Sequence, residues 1–376
     1  MNTRFCGLVL LLLSFAAGTV ANHAFAAEGD SWPVFRGNPQ ATGVAKGTLP
    51  KELGVDWKYE IEKGAFEATA VIADGGVFIG DLDGVFHAVD FTTGKKLWTF
   101  KAEIGICSAA AYQNGKVYFG DIDGGFYCLN AKTGEKVWTF KTDGEIDSAP
   151  NFYKDMVLFG SQDATLYALK ATDGKEVWRH TIDDQIRCSP TIVSDRCFLA
   201  GCDGNLHVIE LAEGKETGSI PIEAPTGSTP AAYGNRVYFG TEGAQFFAID
   251  WKEAKTIWTY KDTKHSQPFR SSAAVTEKLV IVGGRDKLVH AFPHDSETET
   301  WTFPTKGHVD SSPVVVGERV FFASRDGRIY GLDLKTGKEV WKYEAGGRFT
   351  SSPAVASEKM VIASEDGTVY CFGAKK

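Results

Sequence analysis

Val77-Phe78-Ile79-Gly80-Asp81-Leu82-Asp83-Gly84-Val85-Phe86-His87-Ala88-Val89-Asp90-Phe91-Thr92-Thr93-Gly94-Lys95-Lys96-Leu97-Trp98 is the stretch on which the fold of this chain is decided. Two apolar runs flank Asp83-Gly84, a dipeptide that closes hairpins because its glycine accepts the backbone angles of a tight turn. A third run, ending at Trp98, follows the second turn at Thr93-Gly94, and a fourth, Val71-Ile72-Ala73, stands just ahead. Four short strands in about 40 residues is the repeat length of a propeller blade.

Working outward, the same module recurs. Val117-Tyr118-Phe119-Gly120, Val157-Leu158-Phe159-Gly160, Val237-Tyr238-Phe239-Gly240 and Val320-Phe321-Phe322-Ala323 match the second strand, and Asp123, Asp203, Asp326 and Asp366 each precede a glycine as Asp83 does. Trp138, Trp178, Trp258, Trp301 and Trp341 occupy the place of Trp98, while Gly218 stands where the fourth copy should have its tryptophan. A Ser-Ser-Pro signal or a relative of it opens most copies, as at Ser148-Ala149-Pro150, Cys188-Ser189-Pro190, Ser311-Ser312-Pro313 and Ser351-Ser352-Pro353. From Trp57 to Lys376 there is room for eight copies.

The phase of the repeat predicts how the ring closes. The last copy ends at Val369-Tyr370-Cys371-Phe372 without a tryptophan strand, and an unpartnered one, Val55 to Tyr59 with Trp57, precedes the first copy. Pairing the two removes a seam of open sheet edges. Third strands are apolar on both faces, with large Phe86, Phe126, Leu166 and Phe246 alternating with small Ala88, Cys128, Ala168 and Ala248. Such strands are covered on both sides, so each blade is sandwiched between two others. The expectation is an all-β, eight-bladed propeller of four-stranded antiparallel blades over 55–376, preceded by an irregular Gly- and Pro-rich arm, 27–54, packed on the ring.

Ala88, Asp90, Thr93, Gly94, Lys95 and Trp98 together resemble the tryptophan-docking motif of the pyrroloquinoline-quinone (PQQ)-type repeat propellers. The resemblance implies that Trp57, Trp98, Trp138, Trp178, Trp258, Trp301 and Trp341 each pack onto the neighbouring blade. The family has two branches: elaborated quinoprotein dehydrogenases that hold the quinone with calcium over the axis, and undecorated, non-catalytic BamB-type propellers of the outer-membrane protein assembly machinery. In length and short loops this chain resembles the second, and it lacks the adjacent cysteines with which the dehydrogenases stack on their quinone.

Residues 1–26 read as a secretory signal: Arg4, an apolar run from Leu8 to Ala17, and Ala24-Phe25-Ala26 at the cleavage site. That run is too short to span a bilayer, which takes about 20 residues. Cys6 precedes it, so no lipoprotein attachment site is formed. The expectation is an exported, soluble, monomeric protein, periplasmic or extracellular. With 40 Lys+Arg against 48 Asp+Glu, the chain is acidic and carries no basic block, which excludes nucleic acid as a partner.

Candidate chemistry is sparse. His87, His207 and His290 share one repeat position that is Tyr or Phe elsewhere, so they are read as packed rings on blades too distant to share a metal. Asp81-x-Asp83 and Asp121-x-Asp123 are read as turn chemistry, since calcium takes about six to eight oxygens. Cys188 and Cys202 approach across a hairpin, and a disulfide between them is left open as an alternative against an unfavourable side-chain parity. No catalytic residue, metal or bound cofactor is predicted.

The remaining site is positional. One residue per blade just before the serine signal gives Glu67, Cys107, Asp147, Arg187, Gly227, Arg270, Asp310 and Thr350, to which the adjoining hairpin turns add Asp81, Asp121, Arg285 and Arg325. This face is expected to be acidic on blades 1 to 3 and basic on blades 4, 6 and 7, with Glu67, Asp147, Arg187, Arg270, Arg285, Asp310 and Arg325 meeting a charged protein partner of the cell envelope. The alternatives are a PQQ- and calcium-dependent oxidoreductase, or a small-ligand or polysaccharide binder using Phe66, Phe269 and Phe349 in the funnel.

Overall fold

The computed structural model describes residues 31–261, 263 and 265–376, so the predicted leader and its cleavage site lie outside the described residues. Eight sheets are arranged as blades. Blade 1 comprises Val71–Ala73, Gly76–Gly80, Val85–Asp90 and Lys96–Lys101, each antiparallel to the next, and blades 2 to 7 repeat that order. In blade 8 the outermost strand is Leu53–Glu60, which pairs antiparallel with Thr368–Ala374 and so closes the ring with the start of the propeller chain. Apart from one 3-10 turn at Phe35–Gly37, the described residues form no helix.

Blade packing follows from side-chain size. The Phe86 ring of blade 1 stacks on Phe119 of blade 2 at 4.0 Å, and Phe126 stacks on Phe159 at 3.8 Å. Small residues on the third strand face the tryptophans: Ala88 pairs with Trp98, Cys128 with Trp138 and Ala168 with Trp178. The indole then reaches the next blade, where Trp98 Nε1 donates to Ala131 O, Trp138 to Ala171 O, Trp178 to Leu211 O and Trp341 to Leu53 O. Gly94 shows why the turn beneath must be glycine. Its φ of +71° is left-handed, and a Cβ there would lie 2.6 Å from the Trp57 ring.

The arm does more than pack on the ring. Trp32 pairs with Ile72 of blade 1, and Pro33, Pro39, Gln40, Thr42 and Gly43 offer their carbonyls in turn to the N–H groups of Tyr112, Ile192, Ala232, Val275 and Val315 on blades 2, 4, 5, 6 and 7. In blade 3 the side chain of Asn151 donates to Pro39 O instead. Val44–Ala45 adds a fifth, parallel strand to blade 7. A propeller leaves the inner edge of each first strand open, and this collar covers those edges on blades 1 to 7, one blade at a time. Arg36 is buried at its centre, donating to the carbonyls of Ala273, Ser312 and Pro313.

Candidate interaction face and central channel

The serine signal builds the wall of the channel. Its second residue links neighbours: Ala149 N donates to Ser189 Oγ, Ser189 N to Thr229, Thr229 N to Ser272, Ser272 N to Ser312, Ser312 N to Ser352 and Ser352 N to Thr69. This belt is interrupted where blades 2 and 3 carry Ala109 and Ala149. The first residue of the signal clamps its own blade, since Ser148, Ser228, Ser271, Ser311 and Ser351 each accept the N–H at the end of the second strand twelve residues on. The channel mouth is thereby held to a fixed diameter by buried hydrogen bonds.

Above the belt, Glu67, Cys107, Asp147, Arg187, Gly227, Arg270, Asp310 and Thr350 surround one cavity of about 170 Å³, with Phe35 of the arm also lining it. The channel is therefore a blind cup. A wider vestibule above it is lined by Arg187, Glu242, Arg270, Arg285, Asp310 and Arg325 among others.

The vestibule charges are organised differently from the expected division into acidic and basic halves. Arg285 holds Asp310 through two hydrogen bonds of 2.8 and 2.9 Å. Arg325 lies between Asp310 and Glu365, and Arg270 clasps Glu242 at 2.8 and 3.1 Å. The basic side is thus largely neutralised in place. Arg187 differs, donating to Gln185 and to no carboxylate among the described residues. Across the cup, burial and then Glu365 raise the Glu67 carboxyl above its ordinary range. Burial, followed by Asp147 and Glu67, pushes the Cys107 thiol up to about 12, so at neutral pH it is protonated and a poor nucleophile.

Two sets of residues placed on this face by their sequence position are not there. Asp81 and Asp121 are buried: Asp81 accepts Val85 N and the ring of His87, and Asp121 accepts Gly125 N and the hydroxyl of Tyr127. Phe66, Phe269 and Phe349 are also buried, each against the third-strand ring of its own blade (His87, His290 and Tyr370), and do not line the funnel. The acid-to-ring bond recurs as His207 to Asp203, His290 to Asp286, Tyr167 to Asp163 and Tyr330 to Asp326, which explains why His and Tyr alternate at that position. All six cysteines among the described residues are free thiols, Cys188 and Cys202 included.

A family profile described as outer membrane protein assembly factor BamB matches residues 82–229, 163–298 and 285–376. The chain belongs to that family. Among solved structures, BamB from Moraxella catarrhalis superposes with a TM-score of 0.73 at 18% identity, covering 86% of this chain and 98% of that one. The quinohemoprotein alcohol dehydrogenase of Comamonas testosteroni gives 0.80 at 16% identity, covering 94% and 82%. A computationally designed protein, Ika8, gives 0.74 at 17% identity, covering 84% and 99%. At these identities the likeness is one of fold. In sequence, 55 residues are 40% identical to a 1-butanol dehydrogenase (cytochrome c) of Thauera butanivorans and 38% identical to the Comamonas testosteroni enzyme, 14% of this chain in each case. The match spans 8% of the length of each of these curated relatives.

A planar tricarboxylate quinone would need an aromatic or apolar platform and free cations. The vestibule lining holds no aromatic side chain, and its guanidinium groups at 270, 285 and 325 already hold carboxylates, which leaves Arg187 as one uncommitted cation for three carboxylates. The residues present do not fit that group.

Proposed function

We propose that this chain is a non-catalytic interaction scaffold of the cell envelope, which docks a protein partner over the mouth of its blind channel. The observation that carries the reading is the state of the mouth: an unelaborated rim on which Arg270, Arg285 and Arg325 are tied to carboxylates, leaving Arg187 on blade 4 as a guanidinium free to take an incoming carboxylate. Rigid, pre-paired polar surfaces lose little entropy on docking and give orientation through charge. Family membership supports a scaffold role, and the leader pattern in residues 1–26 supports export.

The test is site-specific photo-crosslinking in cells at Arg187 and Thr350, with Leu97 on the outer rim as control. The proposal expects an envelope protein trapped from the two mouth positions, and capture reduced about tenfold when Arg187→Glu is combined with the probe at Thr350. Trapping only from Leu97, or alcohol oxidation by the purified chain supplied with PQQ and calcium, would refute it.

A further inference from the structure

The eight copies form an internal alignment in which the interface between blades 3 and 4 differs in chemistry from the others. At most interfaces an outer-strand ring meets the third-strand ring of the following blade edge-on: Phe100 with Tyr127 at 5.6 Å, Phe140 with Tyr167 at 5.4 Å, Phe303 with Tyr330 at 5.4 Å and Tyr343 with Tyr370 at 5.8 Å. Between blades 3 and 4 both rings are imidazoles, His180 and His207. Nine residues after His207, Glu216 projects into the same space; this position is Lys96 and Lys136 in blades 1 and 2 and Glu176, Glu299 and Glu339 in blades 3, 6 and 7, so what sets this interface apart is the pair of imidazoles facing the carboxylate. Independently of the scaffold reading, we propose that His180, His207 and Glu216 form a divalent transition-metal site, most suited to Zn²⁺, that staples blade 3 to blade 4.

The geometry is that of a three-ligand zinc centre. His180 Nε2 and His207 Nδ1 each lie 3.3 Å from Glu216 Oε2, and the ligand atoms of the three residues all fall within 4.8 Å of one another. Bonds of about 2.0 to 2.1 Å to a tetrahedral Zn²⁺ place its ligand atoms about 3.3 Å apart. His207 is already oriented, because its Nε2 bonds Asp203 at 2.9 Å. With the proton on that nitrogen, Nδ1 turns a lone pair toward Glu216, the carboxylate–histidine–metal arrangement. His180 Nε2 is buried with no hydrogen-bond partner among the described residues. In that tautomer two imidazole lone pairs converge on one carboxylate, an arrangement that a cation between them satisfies.

His290 marks the contrast. It bonds Asp286 and Glu299 in the same way, but its neighbour across the interface is Tyr260 rather than a second imidazole, and a proton alone satisfies it. Glu216 is about one-third exposed, giving an ion a route in from the outer rim and leaving the fourth position to water.

The experiment titrates the purified, chelator-treated chain with Co²⁺, followed by displacement with Zn²⁺. Expected are one equivalent of Co²⁺ with the intense visible absorption of a tetrahedral N/O site, its loss on adding Zn²⁺, and a Zn²⁺-dependent rise in thermal midpoint. His180→Phe and His207→Tyr install the rings that other blades use, and Glu216→Gln removes the anion. Each should weaken binding at least tenfold, whereas His290→Tyr should leave it unchanged. Absence of saturable binding, an octahedral spectrum, or binding that survives both His180→Phe and Glu216→Gln would overturn the site. The last two variants alter partly exposed groups, so the test stands even if His207→Tyr does not fold.

Discussion

The Trp251 indole packs 5.1 Å from the ring of Phe198, taking the contact that in blades 1, 2 and 5 is made by a tryptophan of the same blade. Phe78 meets Trp98, Tyr118 meets Trp138 and Tyr238 meets Trp258 within their own blades. Blade 4 has Gly218 opposite Val208, and blade 5 supplies the missing ring from its turn.

That substitution of one ring for another predicts a compensating pair. Trp251 is partly buried, so Trp251→Ala should cost about 2 kcal/mol, below the ~3 to 5 kcal/mol of a fully buried aromatic. Gly218→Trp should also destabilise by crowding the occupied space. The double variant should recover at least half of the summed loss, giving a coupling of about 1 to 3 kcal/mol in urea unfolding. Additive losses would show that the two positions do not share one space.

The interrupted serine belt predicts a gain. Ala149→Ser adds a hydroxyl where blade 4 and four further blades in turn already use one to accept the preceding blade's N–H, here that of Ala109, and should stabilise the ring by about 1 kcal/mol. Ser312→Ala should do the opposite, leaving the buried Ser272 N without its acceptor at a cost of about 1 to 3 kcal/mol. Equilibrium unfolding of the two variants side by side checks both signs.

His290 predicts a pH dependence. Burial pulls its imidazolium down, yet Asp286 at 3.0 Å and Glu299 at 2.5 Å more than offset this and bring it to about 9. A group raised in the folded state stabilises fully below its unfolded value near 6.5 and loses that contribution as pH rises through 9. Stability should therefore fall between pH 6.5 and 9 by up to about 3 kcal/mol. His290→Tyr should flatten that slope, read as the urea midpoint against pH.

Cys107 predicts a labelling profile. With its thiol pushed up to about 12, alkylation by iodoacetamide at pH 8 should run far below that of an unstructured cysteine, and should rise about tenfold per pH unit through pH 10. Asp147→Asn combined with Glu67→Gln removes two of the charges holding the proton and should speed labelling at pH 8. Mass spectrometry of the Cys107 peptide reads the rate.

The order of strands, the number of blades and the closing strand with Trp57 were legible in the sequence because they depend on local signals: hairpin turns at Asp-Gly, a period of about 40, and small residues opposite each tryptophan. The eight mouth positions were legible for the same reason, since a repeat places equivalent residues on one face. What they do there was not. Whether Arg285 is a free cation or half of an ion pair depends on where Asp310 of the next blade points, and that relation crosses a blade boundary.

The same divide separates the arm and the histidines. Residues 32–45 carry no periodic pattern because they serve as backbone acceptors, and a carbonyl is present whatever the side chain. His180 stood unnoticed in an outer strand, 27 positions from His207, until packing of blade 3 on blade 4 brought both to Glu216. Sequence alone determined the repeat, because turns and alternation act over a few residues. Tertiary structure decided which charges cancel, which edges are covered and which imidazoles meet, because those outcomes depend on a neighbouring blade's position in space.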